Sequence, residues 1–443
     1  MLYKNVTELI GNTPTIEISR QITGLKHVDL YVKCELYNPF GSLKDRAAYS
    51  MLKDKIADIK QSGATVIESS SGNTAKALQI LCAMNGIAFK TVTNRIKVPE
   101  TKNILKVCGA QIEELPGLSE CPDPTDPNDP VAYIERTVAE SDGKYYHTNQ
   151  YTNLKNPQIH YETTGPEIER DVGKVDYFFS TLGTTGSSRG IIEYLKEKNP
   201  ALRKIGIIAD KGDNIPGIRN KDEMYEVGIF EKSLYDGIVT VNSMQAIEQM
   251  LILNRKLGIL GGPTSGACFY GAMDYLKKLD ETLTQDIKAV FVACDRMEWY
   301  MSYIEKRRPD LFNADVAVEN IRNMSESDVE AFAKTVDAEN VGDFMEQNAP
   351  VVIDMRGNLA YKNGHIKNAV NITDVFFDDI VENGTPFSAE STVLLVCATG
   401  DKSKKYSALL NKKGLNVYSL DGGMVEYRNQ GLPVVRQLKR TLL

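Results

Sequence analysis

The sequence lacks several features that would place it in common classes of protein. Its seven cysteines are odd in number and scattered, and no CxxC pair is present, which argues against a disulfide framework and against zinc. It also lacks an excess of basic residues, since the net charge is -7 at pH 7. An acidic chain has no general affinity for nucleic acid. We therefore expect no metal site and no nucleic-acid partner.

Long apolar segments are missing as well. No uninterrupted apolar run is long enough to cross a bilayer, so we expect no membrane contact. Residues 1–6 lack the apolar core of a signal peptide, which favours a cytoplasmic protein. Neither an internal repeat nor a low-complexity tract is found. The composition, 42% hydrophobic and 25% charged, is that of a globular protein.

The length of 443 residues exceeds one ordinary core and predicts two or three domains. Up to residue 308, short β-branched runs alternate with longer helical patterns, which is typical of a doubly wound α/β protein. Helices are predicted from residue 45 and over 75–84. Strands are predicted at 30–34, 65–67, 89–92, 204–208 and 289–293.

A change of pattern marks a second domain. After residue 310 the chain becomes polar and acidic, and a helical segment is predicted over 314–341. A further α/β pattern follows, with strands predicted at 351–354, 392–396 and 415–418. The predicted domains are an α/β domain over 1–310, a linker over 311–330 and a smaller α/β domain over 331–443.

Residues 119–130 (SECPDPTDPNDP) are rich in proline and aspartate and cannot form a regular element. A solvated acidic loop is the favoured interpretation. A lid over an active site is the alternative, because long loops without regular structure are often functional.

The strongest chemical candidate is a lysine in the stretch 38–46 (NPFGSLKDR). Lys44 follows a loop punctuated by proline and glycine and precedes a helical pattern. An amine in such a place can form a Schiff base with an aldehyde cofactor, although most lysines beside turn residues are merely solvated. Two later stretches strengthen the case, 69–74 (SSSGNT) and 183–187 (GTTGS).

Together these stretches resemble the fold-type II enzymes that use pyridoxal phosphate (PLP), and within them the cysteine synthases. The resemblance implies that Lys44 carries PLP, that Asn73 contacts the cofactor's ring oxygen and that Ser265 contacts its pyridine nitrogen. The junction between an apolar strand pattern and a helical one offers N–H groups, hydroxyls and a helix dipole, which suits the cofactor's phosphate. The residues of this junction are Gly183, Thr184, Thr185, Gly186 and Ser187.

The resemblance also implies a site for the α-carboxylate of an amino-acid substrate. Donors at a helix N-terminus suit a carboxylate. The assigned donors are Ser70, Ser71, Thr74 and Gln150. Ser265, in 262–267 (GPTSGA), makes the ring a mild electron sink, because a neutral hydroxyl does not enforce a protonated pyridine. A mild sink favours α,β-elimination over transamination, and attack by a sulfur nucleophile would then complete a β-replacement.

The sequence differs from the O-acetylserine-using members of the family at positions that bear on the leaving group of the substrate. Thr185 stands where those enzymes have glycine, and the segment 215–223 (IPGIRNKDE) replaces a glycine-rich one. Both departures resemble the O-phosphoserine-using branch, in which an arginine pairs with the substrate's phosphate, and Arg219 is its match. A surface arginine in a polar loop is the alternative. Asp295 and Arg296 also depart from the family's usual Ser-Gly-Glu-Arg.

A second set of motifs resembles a rhodanese domain: 354–356 (DMR), 364–366 (GHI), 396–403 (VCATGDKS) and 420–423 (LDGG). A strand pattern leads to Cys397 and a loop, and inward-pointing N–H groups in such a loop stabilise a thiolate or a persulfide. A buried core thiol is the alternative for Cys397. The remaining loop residues are Ala398, Thr399, Gly400, Asp401, Lys402 and Ser403.

The charge and length of this loop bear on its substrate. Ala398 and Lys402 stand where arginine is usual in the family, so a persulfide donor is favoured as much as thiosulfate. The six residues from Cys397 to Lys402 fit sulfur transfer rather than the longer phosphatase variant. Asp354 and His365 are interpreted as structural.

These interpretations combine into a leading hypothesis. The first domain makes L-cysteine by β-replacement on O-phosphoserine or O-acetylserine, and the second supplies sulfur as a Cys397 persulfide, whose local concentration the tether raises. One alternative keeps PLP but uses an amine nucleophile, as in diaminopropionate-forming relatives. Another is a non-synthetic sulfur carrier or sensor. The expected partners are a small amino acid, a sulfide or persulfide donor and a second copy of the chain, because members of the family are usually dimers.

Overall fold

The computed structural model describes residues 2–94, 96–115, 129–220, 228–312, 321, 324–382, 387–388 and 390–437. The chain divides into two compact units, Met1–Arg307 and Arg308–Leu443. Apart from Asp129 and Pro130, the predicted loop over 119–130 lies outside the described residues, so its role stays a prediction.

The first unit alternates strands and helices along the chain. Its strands are β1 (Thr15–Ile18), β2 (Val28–Cys34), β3 (Thr65–Ser69), β4 (Phe89–Thr93), β5 (Gln111–Glu114), β6 (Tyr145–His147), β7 (Tyr177–Thr181), β8 (Arg203–Ala209), β9 (Gly237–Val241) and β10 (Ile287–Ala293). Its α-helices are α1 (Arg20–Thr23), α2 (Lys44–Leu52), α3 (Ile56–Ser62), α4 (Asn73–Met84), α5 (Pro99–Val107), α6 (Pro130–Glu140), α7 (Lys155–Ile159), α8 (Gly165–Val172), α9 (Gly186–Lys198), α10 (Ser243–Leu257), α11 (Pro263–Asp280) and α12 (Met301–Arg307).

These strands form two sheets. The larger has the order β1-β2-β10-β7-β8-β9, and the smaller has the order β5-β4-β3-β6. β1 runs antiparallel to β2, with Thr15 opposite Lys33, whereas the other pairs of both sheets are parallel. Parallel strands place their carboxyl ends at one edge of a sheet, which is where open α/β folds bind ligands.

The larger sheet is buried on both faces. Along β10, Ala289 and Phe291 belong to one apolar cluster, whereas Val290 and Val292 belong to a cluster on the opposite face. Successive side chains of a strand point to opposite faces, so a strand covered on both sides needs a continuous apolar run. The sequence of β10, IKAVFVA, provides that run.

A buried ionic network holds α2 in place. Arg46 Nη1 donates to Glu167 Oε1 over 2.7 Å, and Arg46 Nε donates to Glu35 Oε2 over 2.8 Å. Lys33 pairs with Glu167 at 2.8 Å, and the Thr13 hydroxyl donates to Glu35 over 2.6 Å. Each buried charge therefore has an opposite charge as a partner, which offsets the large cost of removing it from water.

The second unit is built on a sheet with the order β11-β15-β14-β12-β13, whose pairs are parallel. Its strands are β11 (Lys334–Val336), β12 (Val351–Asp354), β13 (Val370–Asn371), β14 (Thr392–Val396) and β15 (Asn416–Leu420). Its helices are α13 (Glu326–Phe332), α14 (Val341–Asn348), α15 (Asn358–Lys362), α16 (Asp374–Glu382), α17 (Asp401–Lys412) and α18 (Gly423–Asn429). Val393 and Leu395 face one apolar cluster, and Leu394 and Val396 face another.

The mixed α/β architecture of both units confirms the predicted fold class. The prediction of a helix over 314–341 is wrong in part, because Lys334–Val336 forms β11 on the edge of the sheet. A tertiary contact decides this segment, since its backbone pairs with β15. Within the described ranges, no helix is both long and apolar enough to cross a membrane.

Candidate active site

A cavity in the first unit lies beyond the carboxyl ends of β3, β7 and β10. Segments from distant parts of the chain line it, and they include most of the residues singled out by their motifs. These are Lys44, Ser70, Ser71, Asn73, Thr74, Gln150, Gly183, Thr184, Thr185, Ser187 and Arg219. Gly186 begins α9 directly behind the lining residue Thr185, and Ser265 is fully buried near the start of α11.

Lys44 is the first residue of α2. The loop before it is anchored to the end of β10, because Leu43 N donates to the carbonyl oxygen of Cys294 over 2.9 Å. Desolvation lowers the pKa of Lys44, although the nearby Cys294 and Asp295 oppose the shift. A lower pKa increases the neutral fraction of the amine, which is the form that attacks an aldehyde carbon.

The loop after β7 has the backbone of an anion site. Thr185 has φ +67°, and α9 begins at the next residue, so the unpaired N–H groups of its first turn face the cavity end of the helix. A Cβ atom at Gly183 would lie 2.6 Å from the Gly217 carbonyl oxygen, so only glycine fits there. The Thr185 hydroxyl is buried and has no hydrogen-bond partner among the described residues.

Asn73 is hydrogen-bonded to Asp295, which lies after the end of β10. Its Nδ2 donates to Asp295 Oδ2 over 2.8 Å and to the Tyr300 hydroxyl over 2.9 Å. Tyr300 also donates to Asp295 Oδ2 over 2.5 Å. Ser265 lies next to this group, with its hydroxyl 3.4 Å from the Asp295 carbonyl oxygen. The two residues assigned to the cofactor ring are therefore both tied to Asp295.

The predicted carboxylate site is a loop that caps α4. Ser70 Oγ accepts hydrogen bonds from the N–H groups of Gly72 and Ala75 at 3.3 and 3.2 Å. Thr74 donates to Gln150 Oε1 over 2.8 Å, and Gln150 Nε2 donates to the Ser69 carbonyl oxygen over 2.7 Å. Gln150 thus lies beside the site and braces the loop with its amide group.

Arg219 is buried, with 5% of its surface exposed, so the alternative of a surface arginine is wrong. Its N–H donates to the Leu182 carbonyl oxygen over 2.8 Å, and its guanidinium carbon lies 5.2 Å from the centre of the Phe230 ring. These contacts place Arg219 next to the loop that begins at Gly183. The neighbouring residues 221–223 lie outside the part of the chain that is described.

Pyridoxal phosphate fits these residues. The cavity combines a desolvated amine, an unpartnered buried hydroxyl and a helix N-terminus at which glycine leaves room for an anion. An aldehyde and a phosphate on one small molecule match the amine and the anion site.

Two contributors to the site carry no motif in the sequence. Tyr300 and Glu68 are buried polar residues, and Glu68 accepts a hydrogen bond from Gln150 N over 3.1 Å. Both residues reach the site through hydrogen bonds to residues more than 80 positions away in the sequence. Glu68 and Gln150, for example, are 82 positions apart. A buried carboxylate or hydroxyl inside an apolar run was the available signal for them.

In the second unit, Cys397 follows β14 directly and begins the loop that leads to α17. Its sulfur accepts hydrogen bonds from Gly400 N at 3.2 Å and from the Ser403 hydroxyl at 3.3 Å. Two donors from the loop and from α17 therefore converge on the sulfur. Only 7% of Cys397 is exposed, so the residue is buried while its sulfur is hydrogen-bonded by the loop.

Two carbonyl groups of this loop accept hydrogen bonds from the first turn of α18. Met424 N and Val425 N donate to the carbonyl oxygens of Cys397 and Ala398 at 3.0 and 3.1 Å. A Cβ atom at Gly423 would lie 2.6 Å from both oxygens, so glycine is required at this contact. The turn at Gly422–Gly423 thus fixes the loop from behind.

Side chains on and around the Cys397 loop form ion pairs, hydrogen bonds and a ring stack. Lys402 forms an ion pair with Asp374 on α16, and Thr399 donates to Asp401 over 2.8 Å. Asp354 accepts hydrogen bonds from Arg356, and the His365 ring stacks on Tyr361 with centroids 3.8 Å apart. These contacts agree with a structural role for Asp354 and His365.

Comparisons with known proteins find relatives for both units. The family described as pyridoxal-phosphate dependent enzyme matches residues 6–295, and the rhodanese-like domain matches residues 337–430. Cysteine synthase B of Pseudomonas aeruginosa is 33% identical over 306 residues, which are 68% of this chain and 96% of that protein. Cysteine synthase B of Salmonella typhimurium is 33% identical over 301 residues, 67% of this chain and 93% of that protein.

Solved structures agree with these matches. A hydrogen sulfide-producing enzyme from Fusobacterium nucleatum superimposes with a TM-score of 0.59 at 31% identity, and the match covers 68% of this chain and 100% of that one. Cysteine synthase from Entamoeba histolytica superimposes with a TM-score of 0.60 at 27% identity, covering 72% of this chain and 93% of that one.

Proposed function

The chain belongs to the pyridoxal-phosphate dependent enzyme family and carries a C-terminal rhodanese-like domain, and from this premise we propose that it makes L-cysteine from an activated serine. The reaction is a β-replacement in which sulfur takes the place of the substituent on the β-carbon. The observation that carries the proposal is the meeting of Lys44, the Gly183–Ser187 loop and the Ser70–Thr74 loop in one cavity.

The cofactor is pyridoxal phosphate. We assign its aldehyde to Lys44, its phosphate to the loop Gly183–Ser187, and its ring to Asn73 and Ser265. When bound, it withdraws electrons from the α-carbon of an amino acid and so weakens the bonds to that carbon. Ser265 is a neutral hydroxyl, which supports the elimination of a β-substituent over transamination.

The chain's own residues bind and orient the substrate. Ser70, Ser71 and Thr74 bind its α-carboxylate at the N-terminus of α4, where hydroxyl and N–H donors converge. Burial lowers the pKa of Lys44, which favours its Nζ as the group that accepts the proton from the substrate's α-carbon. Gln150 holds the binding loop in place through its bonds to Thr74 and Ser69.

For the leaving group we propose phosphate, bound by Arg219. Its guanidinium is desolvated, and a desolvated arginine binds a dianion better than it binds an acetyl ester. O-phosphoserine is therefore the proposed substrate, and O-acetylserine is the one to compare. A relative of known structure from Entamoeba histolytica is named an O-acetyl serine sulfhydrylase.

The second unit is proposed to supply the sulfur. The Cys397 thiolate attacks the terminal sulfur of a donor persulfide, the donor's S–S bond breaks, and the donor leaves as a thiol while Cys397 becomes a persulfide. Two molecules of a thiol reductant then release that sulfur as sulfide and are oxidised to a disulfide, which restores the Cys397 thiol. Hydrogen bonds from Gly400 and Ser403 support the sulfur in each form.

One experiment tests the synthase. The holoenzyme is incubated with O-phosphoserine or O-acetylserine, with sulfide or a primary amine as the nucleophile, and the product mass is measured. Cysteine is the expected product with sulfide, and Lys44→Ala abolishes it together with the visible absorbance of the bound cofactor. A diaminopropionate-type product would replace the proposal with an amine-using synthase, and no turnover would favour a sulfur carrier or sensor.

A further inference from the structure

Segment 300–307, which contains α12, contacts three different walls of the cavity. The Tyr300 hydroxyl accepts a hydrogen bond from Asn73 Nδ2 over 2.9 Å. The Tyr303 hydroxyl donates to the carbonyl oxygen of Asn214 over 2.7 Å. Asn73 and Asn214 both line the cavity. The third contact is with α5, and the reaction proposed above does not account for it.

The contact with α5 is a pair of hydrogen bonds between Ser302 and Glu100, which lie 202 positions apart in the sequence. Ser302 N donates to Glu100 Oε1 over 2.7 Å, and the Ser302 hydroxyl donates to Glu100 Oε2 over 2.6 Å. One residue therefore binds both oxygens of the carboxylate. Hydrogen bonds to an ionised acceptor are about twice as strong as those between neutral groups.

The Glu100 carboxylate lies at the start of two helices. Glu100 belongs to the first turn of α5, and its carboxylate accepts a hydrogen bond from an N–H group in the first turn of α12. The N–H groups of a first turn have no partner within their own helix, and a negative charge is favourable at that end of the helix dipole. Glu100 therefore caps α12 from a distant segment and ties the start of one helix to the start of the other.

The residues around Glu100 form one side of the cavity. Lys97 and Val98 come directly before α5, and Thr101 lies in its first turn. Val98 and Thr101 are buried. The loop 69–74, assigned to the substrate's α-carboxylate, lines the same cavity. Because Thr101 follows Glu100 directly, the hydrogen bonds that hold Glu100 also fix this wall.

We propose that Ser302 and Glu100 are positioning residues, whose paired hydrogen bonds fix the first turn of α5 as a wall of the cavity that binds the amino-acid substrate. The proposal rests on the synthase function given above and adds residues that its substrate site requires. Ser302 and Glu100 do not line the cavity themselves. They act through Val98 and Thr101.

Loss of the pair should weaken substrate binding more than catalysis. Without these hydrogen bonds, Val98 and Thr101 are placed less firmly, so the cavity binds the amino acid less tightly. The loop before Lys44 is anchored to Cys294 instead. We therefore expect KM to rise with little change in kcat, whereas a purely structural contact would change stability alone.

The test compares Ser302→Ala, which removes the hydroxyl donor, with Ser302→Thr, which keeps it, both as holoenzyme. L-alanine is the binding probe, because it has an α-carboxylate and no leaving group. Trp299 is the one tryptophan of the sequence and lies three residues before Ser302, so its emission is used to follow the titration. KM and kcat are measured with O-phosphoserine and sulfide.

In Ser302→Ala, the dissociation constant of L-alanine and KM should rise about three- to tenfold, which corresponds to the net contribution of one hydrogen bond. Ser302→Thr should restore both values. Ser233→Ala, which removes an exposed serine–glutamate hydrogen bond, is the matched control and should bind like wild type. Unchanged binding in Ser302→Ala would overturn the proposal.

A double-variant cycle tests whether the two residues act as a pair. Glu100→Leu removes both hydrogen bonds and should raise KM further than Ser302→Ala does. Because the residues act through each other, the double variant Ser302→Ala with Glu100→Leu should bind no more weakly than Glu100→Leu alone. Additive losses in the double variant would show that the two residues act separately and would contradict the proposal.

A second readout does not depend on turnover. The backbone amides of α5 should exchange hydrogen faster in Ser302→Ala than in wild type, whereas those of α13 should be unchanged. Wild-type protection of α5 in the variant would overturn the proposal, and so would faster exchange with unchanged L-alanine binding. If wild type makes no cysteine, the proposed function fails, whereas hydrogen exchange and the L-alanine titration still decide the role of Ser302.

Discussion

The Thr74 hydroxyl donates to Gln150 Oε1 over 2.8 Å, across 76 positions of sequence. The same glutamine donates to the Ser69 carbonyl oxygen over 2.7 Å, so the loop at the N-terminus of α4 is fixed at both ends. The hydroxyls of Ser70 and Ser71 and the N–H groups between them are thereby arranged before a substrate arrives. An arranged loop reduces the entropy lost when the carboxylate binds.

Gln150→Leu should weaken substrate binding. The change removes both hydrogen bonds of the amide, and each contributes about 1 kcal/mol, so KM for the amino-acid substrate should rise about tenfold or more with a smaller change in kcat. Steady-state kinetics measure the effect. The control Gln158→Leu, on the exposed side of α7, should leave KM unchanged. An unchanged KM in Gln150→Leu would show that these hydrogen bonds do not contribute to substrate binding.

Arg219→Ala should discriminate between the two activated serines. Loss of a charge-assisted contact of about 1.5–3 kcal/mol lowers kcat/KM for O-phosphoserine about 10- to 150-fold, whereas O-acetylserine should lose less than about threefold. The measurement is the ratio of the two kcat/KM values. Arg203→Ala, an exposed arginine on β8, is the matched control. Equal losses on both substrates would refute the phosphate assignment.

Cys397→Ser should separate the two activities. Cysteine synthesis from free sulfide should be unchanged, because the first unit carries out that reaction, and synthesis from a persulfide donor should be abolished. Product formation from each donor is measured by mass. Cys108→Ser, which changes a partly buried thiol of the first unit, should affect neither donor. Full activity of Cys397→Ser with the persulfide donor would exclude this thiol from the pathway.

Asp374→Asn should change donor preference in the second unit. Asp374 neutralises Lys402, so its removal leaves a free cation at the loop and should speed the reaction with thiosulfate about two- to fivefold, as expected for an exposed ion pair. A persulfide donor carries at most one negative charge at its reacting sulfur, against two on thiosulfate, and should gain less. Asp328→Asn, a partly exposed acid on α13 that pairs with Lys412, is the control. The double variant Asp374→Asn with Lys402→Met should lose the gain, and a gain that survives it would have another cause.

Arg46→Met should destabilise the first unit strongly. It leaves two buried carboxylates without their main partner, and loss of one member of a buried ion pair costs about 3–5 kcal/mol. Denaturant unfolding at neutral pH measures the loss, with the exposed Arg170→Met as the control. A loss below about 1 kcal/mol, the range of exposed pairs, would contradict the prediction.

The same network predicts acid sensitivity. Burial alone would raise the pKa of Glu35, but Arg46 outweighs it and lowers the pKa from 4.5 to about 2. Because the folded pKa is depressed, this contribution to stability is present above pH 4.5 and is lost as the pH falls toward about 2. The stability difference between wild type and Glu35→Gln should therefore shrink over that interval in pH-dependent unfolding.

Much of the site was predictable from the sequence because short motifs encode it locally. A lysine after a Pro/Gly loop, a glycine and threonine loop before a helix, and a cysteine after an apolar strand each determine their own backbone. The sheet interiors were predictable for a similar reason, since continuous apolar runs such as that of β10 mark strands buried on both faces.

The remainder depends on contacts between distant segments. The hydrogen bond from Asn73 to Asp295 joins residues 222 positions apart, and no sequence motif predicts it. Arg219 is buried because it packs on Phe230, and the polar sequence of its loop does not predict this contact. The short edge strand β11, at 334–336, owes its conformation to β15, so its own residues did not distinguish it from a helix.

The buried ionic network also sets an order of events during synthesis of the chain. The segment Gly11–Thr13 is made before α8, yet Asn12 N donates to Glu167, which is made 155 residues later. Until then, Arg46 and Lys33 lack their shared carboxylate, and the turn that presents Lys44 has no finished support. We therefore expect the nascent chain to bind PLP only after α8 has emerged.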